Sequence, residues 1–574
     1  MTRLRSAAWF EGDDEVALIH RVAMRNAGID VDADHDRPVI AILNSASDLN
    51  PCNLPLSEYV SEIRAGIALA GGVAVELPVM SLGEDLMKPS AMLYRNLLSI
   101  EVEEYVRTYP IDGLVLLANC DKSVPGAVMG AISADVPFVL VTAGARAVAM
   151  FEGKPIGTGT DTWRAWEDHR AGRMSDARWQ QYERCLACGM GACNTMGTAS
   201  TMAIVCEVMG LSLPGSAAVP TDDPLRLAIA WQSGQRAVQQ VLEGSHPLAS
   251  LTPAGFRNAV RALHAIGGST NAIIHLLAIA GRSSVELTLD DMAGVGANVP
   301  VIADVQPSGR LLVQDFAAAG GVPALMRALD DVMEMDAVSG SGRVWEDEAA
   351  QTVEFGGALI DPRHPLREGG SFRVVHGNLA PDGAVIKVSA ASARLLQHTG
   401  PALVFHGYED MRSRIDDAYL AVTPDTVLVL TNAGPVAVPG MPEWGMIPIP
   451  SKLAAQGIDD MVRVTDSRMS GTSFGACVLH VAPEAAVGGP LSLVRDGDQI
   501  TLDVAGGRLT LHVDDDVLAE RELDAPHFVT PHLRGWPALY QQHVLQADLG
   551  CDLDFLRAPS PEHRRVIPPV IGRS

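Results

Sequence analysis

The chain has 574 residues, 43 of them Lys or Arg and 69 Asp or Glu, which gives a formal net charge of −26. A hydrophobic share of 47% excludes wholesale disorder, and the excess of acid excludes nucleic acid and anionic lipid as main partners. The length corresponds to roughly two to four domains. The same charge opposes an anionic substrate unless a bound cation reverses the field locally. The opening MTRLRSAAWFEGDDE meets acid before any apolar leader segment develops. The best apolar stretches, such as 137–145, fall short of the roughly 20 residues that span a bilayer. Eight cysteines are too sparse for a secreted disulfide scaffold. These features predict a cytoplasmic protein, outside the membrane, with reduced thiols available for metal or catalysis.

In chain order, PVIAIL (38–43) is a short buried-strand run, and LSEYVSEIRAGIALAGG (56–72) carries helical periodicity up to Gly71-Gly72. IDGLVLLA (111–118) repeats the strand chemistry, a helix opens near Pro125, and PFVLVTAG (137–144) is a further central strand. Continuous apolar runs flanked by helices predict an α/β region with a doubly wound, largely parallel sheet over residues 1–370. Ligands of such sheets sit outside the carboxyl ends of the strands, so the loops starting at Asn44 and Asn119 are where chemistry is expected. From about residue 370 short strand-like runs (SFRVVHG, AVIKVS, ALVFHG, TVLVLTN) alternate with Gly, Pro and Asp turns. GDQITLDVAGGRLTLHVDDD is an alternating hairpin turning at Gly506-Gly507. A β-rich, barrel-like second domain over 371–574 follows, with the boundary near 365–372.

Three cysteines lie in Gly/Pro/Asn-rich loops: Cys52 in SDLNPCNLPL, Cys120 in LANCDKSVPG and Cys193 just before a predicted helix 195–209. Each alone reads as a small buried hydrophobe; three at separate strand or helix ends suit a soft metal or an iron–sulfur cluster. Cys185-x2-Cys188-x4-Cys193 has a chelating spacing but no second pair to complete four ligands. Among the acids, Glu84, Asp121 and Glu443 sit in loops, and Asp121 shares its strand-end loop with Cys120. Carboxylates from distant segments can hold Mg²⁺, whereas Lys122 as an ammonium is only a counter-charge unless modified. The Ser/Gly loop at 466–473 presents Ser467, Ser470, Thr472 and Ser473, open to reading as an anion nest, a nucleophile or a turn. No G-x-S-x-G frames Ser470, and neither a Walker A motif nor a dinucleotide fingerprint occurs.

Taken in order, SDLNPCN, SLGE, KPSAMLYRN, CDKSVPG, the Cys193 loop, GGSTNAIIHL, GNLAPDGAVIK, PGMPE, TDSRMSGTS and HVAPEAAVGGP resemble the iron–sulfur-dependent dihydroxy-acid and sugar-acid dehydratases. The resemblance implies cluster ligands at Cys52, Cys120 and Cys193, and magnesium ligands at Glu84, Asp121, Glu443 and Lys122 as an N-carboxylated lysine. It further implies a catalytic serine at Ser470, with Thr472 beside it. Cys185, Cys188, Cys206, Cys477 and Cys551 match no ligand of the family. CNTMGTASTM at 193–202, SRIDD at 413–417 and the tail 534–556 are similar to the pentonate (arabinonate and xylonate) branch. Two departures from the branched-chain enzymes stand out: NLPL replaces a histidine-bearing loop, and SRMSGTS replaces GRFSGGS, bringing in Thr472.

What the resemblance implies is a hydro-lyase with a 2Fe–2S cluster and Mg²⁺, acting as a homodimer or homotetramer. It would dehydrate a C5–C6 aldonate such as L-arabinonate or D-xylonate to the 2-keto-3-deoxy acid. A 2,3-dihydroxy-acid dehydratase of branched-chain amino acid biosynthesis, or a promiscuous enzyme acting on both, is the alternative. An iron–sulfur electron carrier, or a cluster-sensing binding protein, would leave Glu84, Glu443 and Ser470 without a role.

Overall fold

A computed structural model describes residues 3–32, 35–350, 352–524, 528, 532–557 and 569–573. The apolar runs of the N-terminal half form a four-stranded parallel sheet of β1 (Val39–Asn44), β2 (Val73–Pro78), β3 (Gly113–Leu117) and β4 (Phe138–Val141), in the order β2-β1-β3-β4. Side chains alternate across a strand, so each central strand feeds two cores. Ile40, Ile42, Val115 and Val139 pack with Ile63 and Ile67 of helix α1 (Val60–Leu69), while Ala41, Leu43, Leu114 and Leu116 pack with Leu98 and Val102 of α2 (Arg95–Thr108). Helix α3 (Ser123–Ala134), with Pro125 in its first turn, lies on the α2 side. The stretch expected as one helix over 56–72 is instead a 3-10 turn, Leu54–Tyr59, running into α1.

The alternation of strand and helix ends at β4. Apart from a small antiparallel hairpin, Ala149–Phe151 with Lys154–Ile156, the chain is helical or irregular up to residue 350. Four of these helices matter here: α4 (Thr160–Arg170), α5 (Thr198–Val208), α6 (Leu225–Glu243) and α7 (Asn271–Arg282). Helix α6 closes over α1, and a Cβ at Gly234 would collide with the Ile63 carbonyl, so this crossing requires glycine.

The C-terminal half is a closed eight-stranded barrel. Its strands are β5 (Arg373–Gly377), β6 (Ala380–Ile386), β7 (Gln397–His406), β8 (Val427–Thr431), β9 (Arg463–Thr465), β10 (Cys477–Ala482), β11 (Gln499–Asp503) and β12 (Arg508–His512), in the cyclic order β8-β9-β10-β6-β5-β12-β11-β7. Parallel pairing of β7 with β8 closes it, and closure leaves no free edge. The expected hairpin is β11–β12, five pairs in register, with Gly507 at φ 64 in the turn. Val375, Ile386, Val404, Val429, Val464, Val478, Ile500 and Leu509 fill the interior. Among the described residues no helix is long and apolar enough to cross a membrane.

Two buried asparagines fasten the loops at the carboxyl end of the sheet. Asn53 Oδ1 accepts from the backbone N–H of Asn119 (3.1 Å) and of Cys120 (2.7 Å), while its Nδ2 donates to Ser45 Oγ and Ser123 Oγ. Asn119 Nδ2 donates to the carbonyls of Cys52 and Gly144, and its Oδ1 accepts from Ala143 and Gly144. The loops after β1, β3 and β4 are thereby held in one frame. Removing either amide strands buried backbone groups, each at about 1–3 kcal/mol. Asn53→Ala should accordingly lower the midpoint of thermal unfolding by several degrees, whereas an exposed control such as Asp290→Ala should not. An unchanged midpoint in a differential scanning fluorimetry comparison would refute the latch.

Candidate active site

Cys52 lies at the end of the loop that follows β1, and Cys120 lies three residues beyond β3. Cys193 reaches the same place through backbone pairing: Gly191 N–H donates to Pro51 O, and Ala192 N–H donates to Gly144 O, both at 2.9 Å. Cys52 and Cys120 are buried and Cys193 is partly so. The Cys120 thiol hydrogen-bonds with Cys52, and this contact together with burial raises its pKa well above the usual thiol value. Burial pushes Cys193 up to about 12, opposed by Arg146. The Arg146 guanidinium stands 3.9 Å from Cys52 Sγ. Cys120 and Cys193 so placed remain protonated unless positive charge joins them, which is what a soft metal centre brings.

Hard donors adjoin the soft ones, and they meet at neighbouring residues: Cys120 Sγ is 3.5 Å from Asp121 Oδ1. Asp121, Glu84 from the loop after β2 and Glu443 from the loop after β8 surround Lys122, whose side chain has no exposed surface. Lys122 Nζ is 3.3 Å from Glu84 and 3.0 Å from Glu443, and it is paired with Asp121. Arg468 Nη1 (2.9 Å) and Asn271 Nδ2 (2.6 Å) also donate to Glu443. Burial alone would raise the Glu443 pKa, but Lys122 and Arg468 prevail and hold it at about 2. Burial pushes Glu84 the other way, above the ordinary carboxylate range. Lys122 is depressed by burial and by Arg468, yet the three carboxylates outweigh both and raise it. Among the described residues no three His, Cys, Asp or Glu side chains converge as a metal site; within the carboxylate cluster the ammonium of Lys122 stands among the acids.

The third component is the loop that leaves β9. Ser467 Oγ donates to Pro442 O, Gly445 N–H donates to Arg468 O, and Arg468 Nε donates to Met441 O, which binds this loop to the Glu443 loop. At Gly471 a Cβ would come within 2.6 Å of Thr198 N at the start of α5, so the barrel loop presses directly on that helix. Ser470 Oγ is 3.0 Å from Thr472 Oγ1.

One cavity of about 900 Å³ opens onto all three components, with Cys52, Cys120, Cys193, Glu84, Asp121, Glu443, Ser470 and Thr472 on its wall. Lys122 lies behind the wall. Of the other cysteines, Cys188 donates to Ala147 O and packs with Cys185 beside Trp179; Cys206, Cys477 and Cys551 are buried. Several residues of the site escaped the sequence reading. Asn53 and Arg468 sit inside quoted motifs, where a polar residue beside a ligand type was the available signal. Arg146 and Trp163 sit in no motif and carried none.

Comparison with known proteins places these features in a family. Residues 37–348 match the dihydroxy-acid/6-phosphogluconate dehydratase N-terminal model and 358–551 the C-terminal one. A protein of Pseudomonas putida named 6-deoxy-6-sulfo-D-gluconate dehydratase is 46% identical, covering 97% of this chain and 96% of its own. The L-arabonate dehydratase of Azospirillum brasilense is also 46% identical, over 96% of this chain and 97% of its own. The dihydroxy-acid dehydratase of Moorella thermoacetica is 34% identical, over 88% and 92% respectively. With both halves matched and the relatives aligned nearly end to end, this chain belongs to the dihydroxy-acid/6-phosphogluconate dehydratase family and is a hydro-lyase of its sugar-acid group.

Proposed function

We propose that this enzyme removes water from a 2,3-dihydroxy sugar acid of five or six carbons, such as L-arabinonate or D-xylonate, to give the 2-keto-3-deoxy acid. The observation that carries the reading is the single cavity shared by the three thiols, the carboxylate–lysine cluster and the Ser470–Thr472 pair. Relatives named for L-arabinonate, L-arabonate and 6-deoxy-6-sulfo-D-gluconate are 44–46% identical, whereas one named for D-xylonate is 34% identical, as is the M. thermoacetica dihydroxy-acid dehydratase.

Cys52, Cys120 and Cys193 would hold a 2Fe–2S cluster, and Glu84, Asp121, Glu443 and N-carboxylated Lys122 a Mg²⁺ ion, together supplying Lewis acidity for the C3 hydroxyl and for the carboxylate end of the substrate. Charge balance supports the second assignment. Three carboxylates against Lys122 and Arg468 leave one net negative charge, and a lysine carbamate accompanied by a divalent cation leaves the same. Within this frame Ser470 Oγ takes the C2 proton, with Thr472 hydrogen-bonding to it as its oxygen becomes basic. The C3 hydroxyl leaves with a proton as water, and the resulting enol gains a proton at C3 and loses its O–H proton to become the ketone. Asn271 and Arg468 fix Glu443 by donating to its carboxylate.

A second reading has its own support. Lys88, which opens the KPSAMLYRN block, and Arg412 line the cavity, and one relative at 46% is named for a sulfonated six-carbon acid. A terminal anion on a six-carbon aldonate is therefore the competing substrate class.

Three measurements test the proposal. Reconstituted enzyme with Mg²⁺, assayed on a panel of C5 and C6 aldonates, a 6-sulfo-aldonate and 2,3-dihydroxyisovalerate, should give its highest kcat/KM on a sugar acid. A site built to bond hydroxyls rejects an apolar analogue strongly, and a preference for 2,3-dihydroxyisovalerate would sink the assignment. Cys52→Ala, Cys120→Ala and Cys193→Ala should each abolish iron–sulfur absorbance and activity, while Cys185→Ala and Cys188→Ala keep both; the opposite pattern would relocate the cluster. Ser470→Ala should lower kcat by about 10²–10⁴-fold with absorbance and Mg²⁺ content intact. Retained C2 proton exchange in that variant would move the base elsewhere.

A further inference from the structure

Helix α4 meets Thr472 of the catalytic loop through two hydrogen bonds, and its Arg164 guanidinium lies 5.3 Å over the Phe474 ring of the same loop. Thr160 Oγ1 donates to the Thr472 carbonyl at 2.8 Å, and Trp163 Nε1 donates to Thr472 Oγ1 at 3.0 Å. The approach is close. A Cβ at Gly159, where φ is 97, would lie 2.5 Å from the Thr472 side chain, and one at Gly197 would lie 3.1 Å from its methyl group. Thr472 is 5% exposed and has its rotamer set by these two glycines, with its hydroxyl toward Ser470 and Trp163.

The chemistry of the partners fixes the direction of the chain. An indole N–H only donates, so Thr472 Oγ1 must accept from Trp163. Thr472 then has one hydrogen to give, and among the described residues the oxygen within reach of it is Ser470 Oγ at 3.0 Å. The backbone N–H of Thr472 points at the same oxygen from 3.4 Å. A serine oxygen that is losing its own proton can only accept, so this arrangement is ready for it, and a donor that is itself accepting a hydrogen bond is polarised to donate more strongly.

We propose that Trp163 is a positioning residue for the dehydration: by donating to Thr472 it orients the Thr472 hydroxyl toward Ser470 and supports the basic form of the serine oxygen. This rests on the reading of Ser470 as the group that takes the C2 proton. Trp163 also lines the cavity, so a role as a substrate wall is the competing account, and the two separate kinetically. A wall contact acts on KM; a contact that acts through Thr472 appears in kcat and vanishes once Thr472 cannot transmit it.

The test is a double-mutant cycle on cluster-loaded enzyme with Mg²⁺ and the best aldonate of the panel, using Trp163→Phe, Thr472→Val and both together, with iron–sulfur absorbance as the check on folding. Thr472→Val should lower kcat by about 10²-fold, as for loss of a donor to a developing oxyanion. Trp163→Phe should lower it by about tenfold with KM unchanged, and the double variant should be no slower than Thr472→Val. Thr472→Ser, which keeps the hydroxyl, should retain most of the activity and its sensitivity to Trp163→Phe. If Trp163→Phe loses absorbance, 3-benzothienylalanine at 163, which keeps the shape without the N–H, replaces it in the cycle. Multiplicative losses in the double variant, or an effect of Trp163→Phe on KM alone, would overturn the relay while leaving the Ser470 reading in place. A wild type that turns over no aldonate would overturn that reading and the relay with it.

Discussion

A lysine ammonium with no exposed surface must find its counter-charges inside the protein, and for Lys122 these come from three segments. Asp121 is its neighbour in sequence, Glu84 arrives from the loop after β2, and Glu443 arrives from the barrel. Burying charge is costly unless it is fully paired, and separating the sheet from the barrel would take Glu443 from Lys122 and Ser90 from Arg468. Arg468, also fully buried, repeats the constraint from the barrel side by binding Glu443 and Ser90 together. The seam between the two halves is therefore held by charge, and the cavity lies along that seam.

The two halves divide the work according to what each architecture offers. Parallel strands end together, so the loops after β1 and β3 deliver two thiols and a carboxylate to one rim, held there, with the loop after β4, by Asn53 and Asn119. The barrel contributes Glu443 and Ser470 from the loops after β8 and β9, which are paired neighbours within it. The C-terminal segment then straps the halves. Arg95 donates to the carbonyls of Gly550 and Cys551, buried Arg282 pairs with buried Asp552, and Trp536 donates to Leu93 O.

A protein with a formal charge of −26 that handles an organic anion has to invert its field where the substrate binds. Lys122, Arg468 and Arg146 are concentrated around one wall of the cavity, where three cations offset the three carboxylates of Glu84, Asp121 and Glu443. The low local dielectric makes each of these cations count for more than an exposed one.

Composition, apolar periodicity and turn chemistry determined a good deal without coordinates. The runs at 38–43, 111–118 and 137–144 could only be buried strands, and Gly506-Gly507 between alternating segments could only be a hairpin turn; both are local patterns of burial and backbone freedom. The ordered motif blocks likewise resembled those of the dehydratase family. What no local pattern contained was the end of the strand–helix alternation at β4, the order of the barrel strands and the break of the expected helix at residue 60. These depend on which faces find partners far along the chain. The same holds for the site. Cys120, Asp121 and Lys122 stand together in sequence, but that Glu443, 321 residues from Lys122, pairs with it was decided by the closing of the barrel on the sheet. Trp163 is the extreme case. Its indole is an ordinary helix side chain until tertiary packing sets it 3.0 Å from Thr472, since the direction of a hydrogen bond exists only between groups that the fold has already brought together.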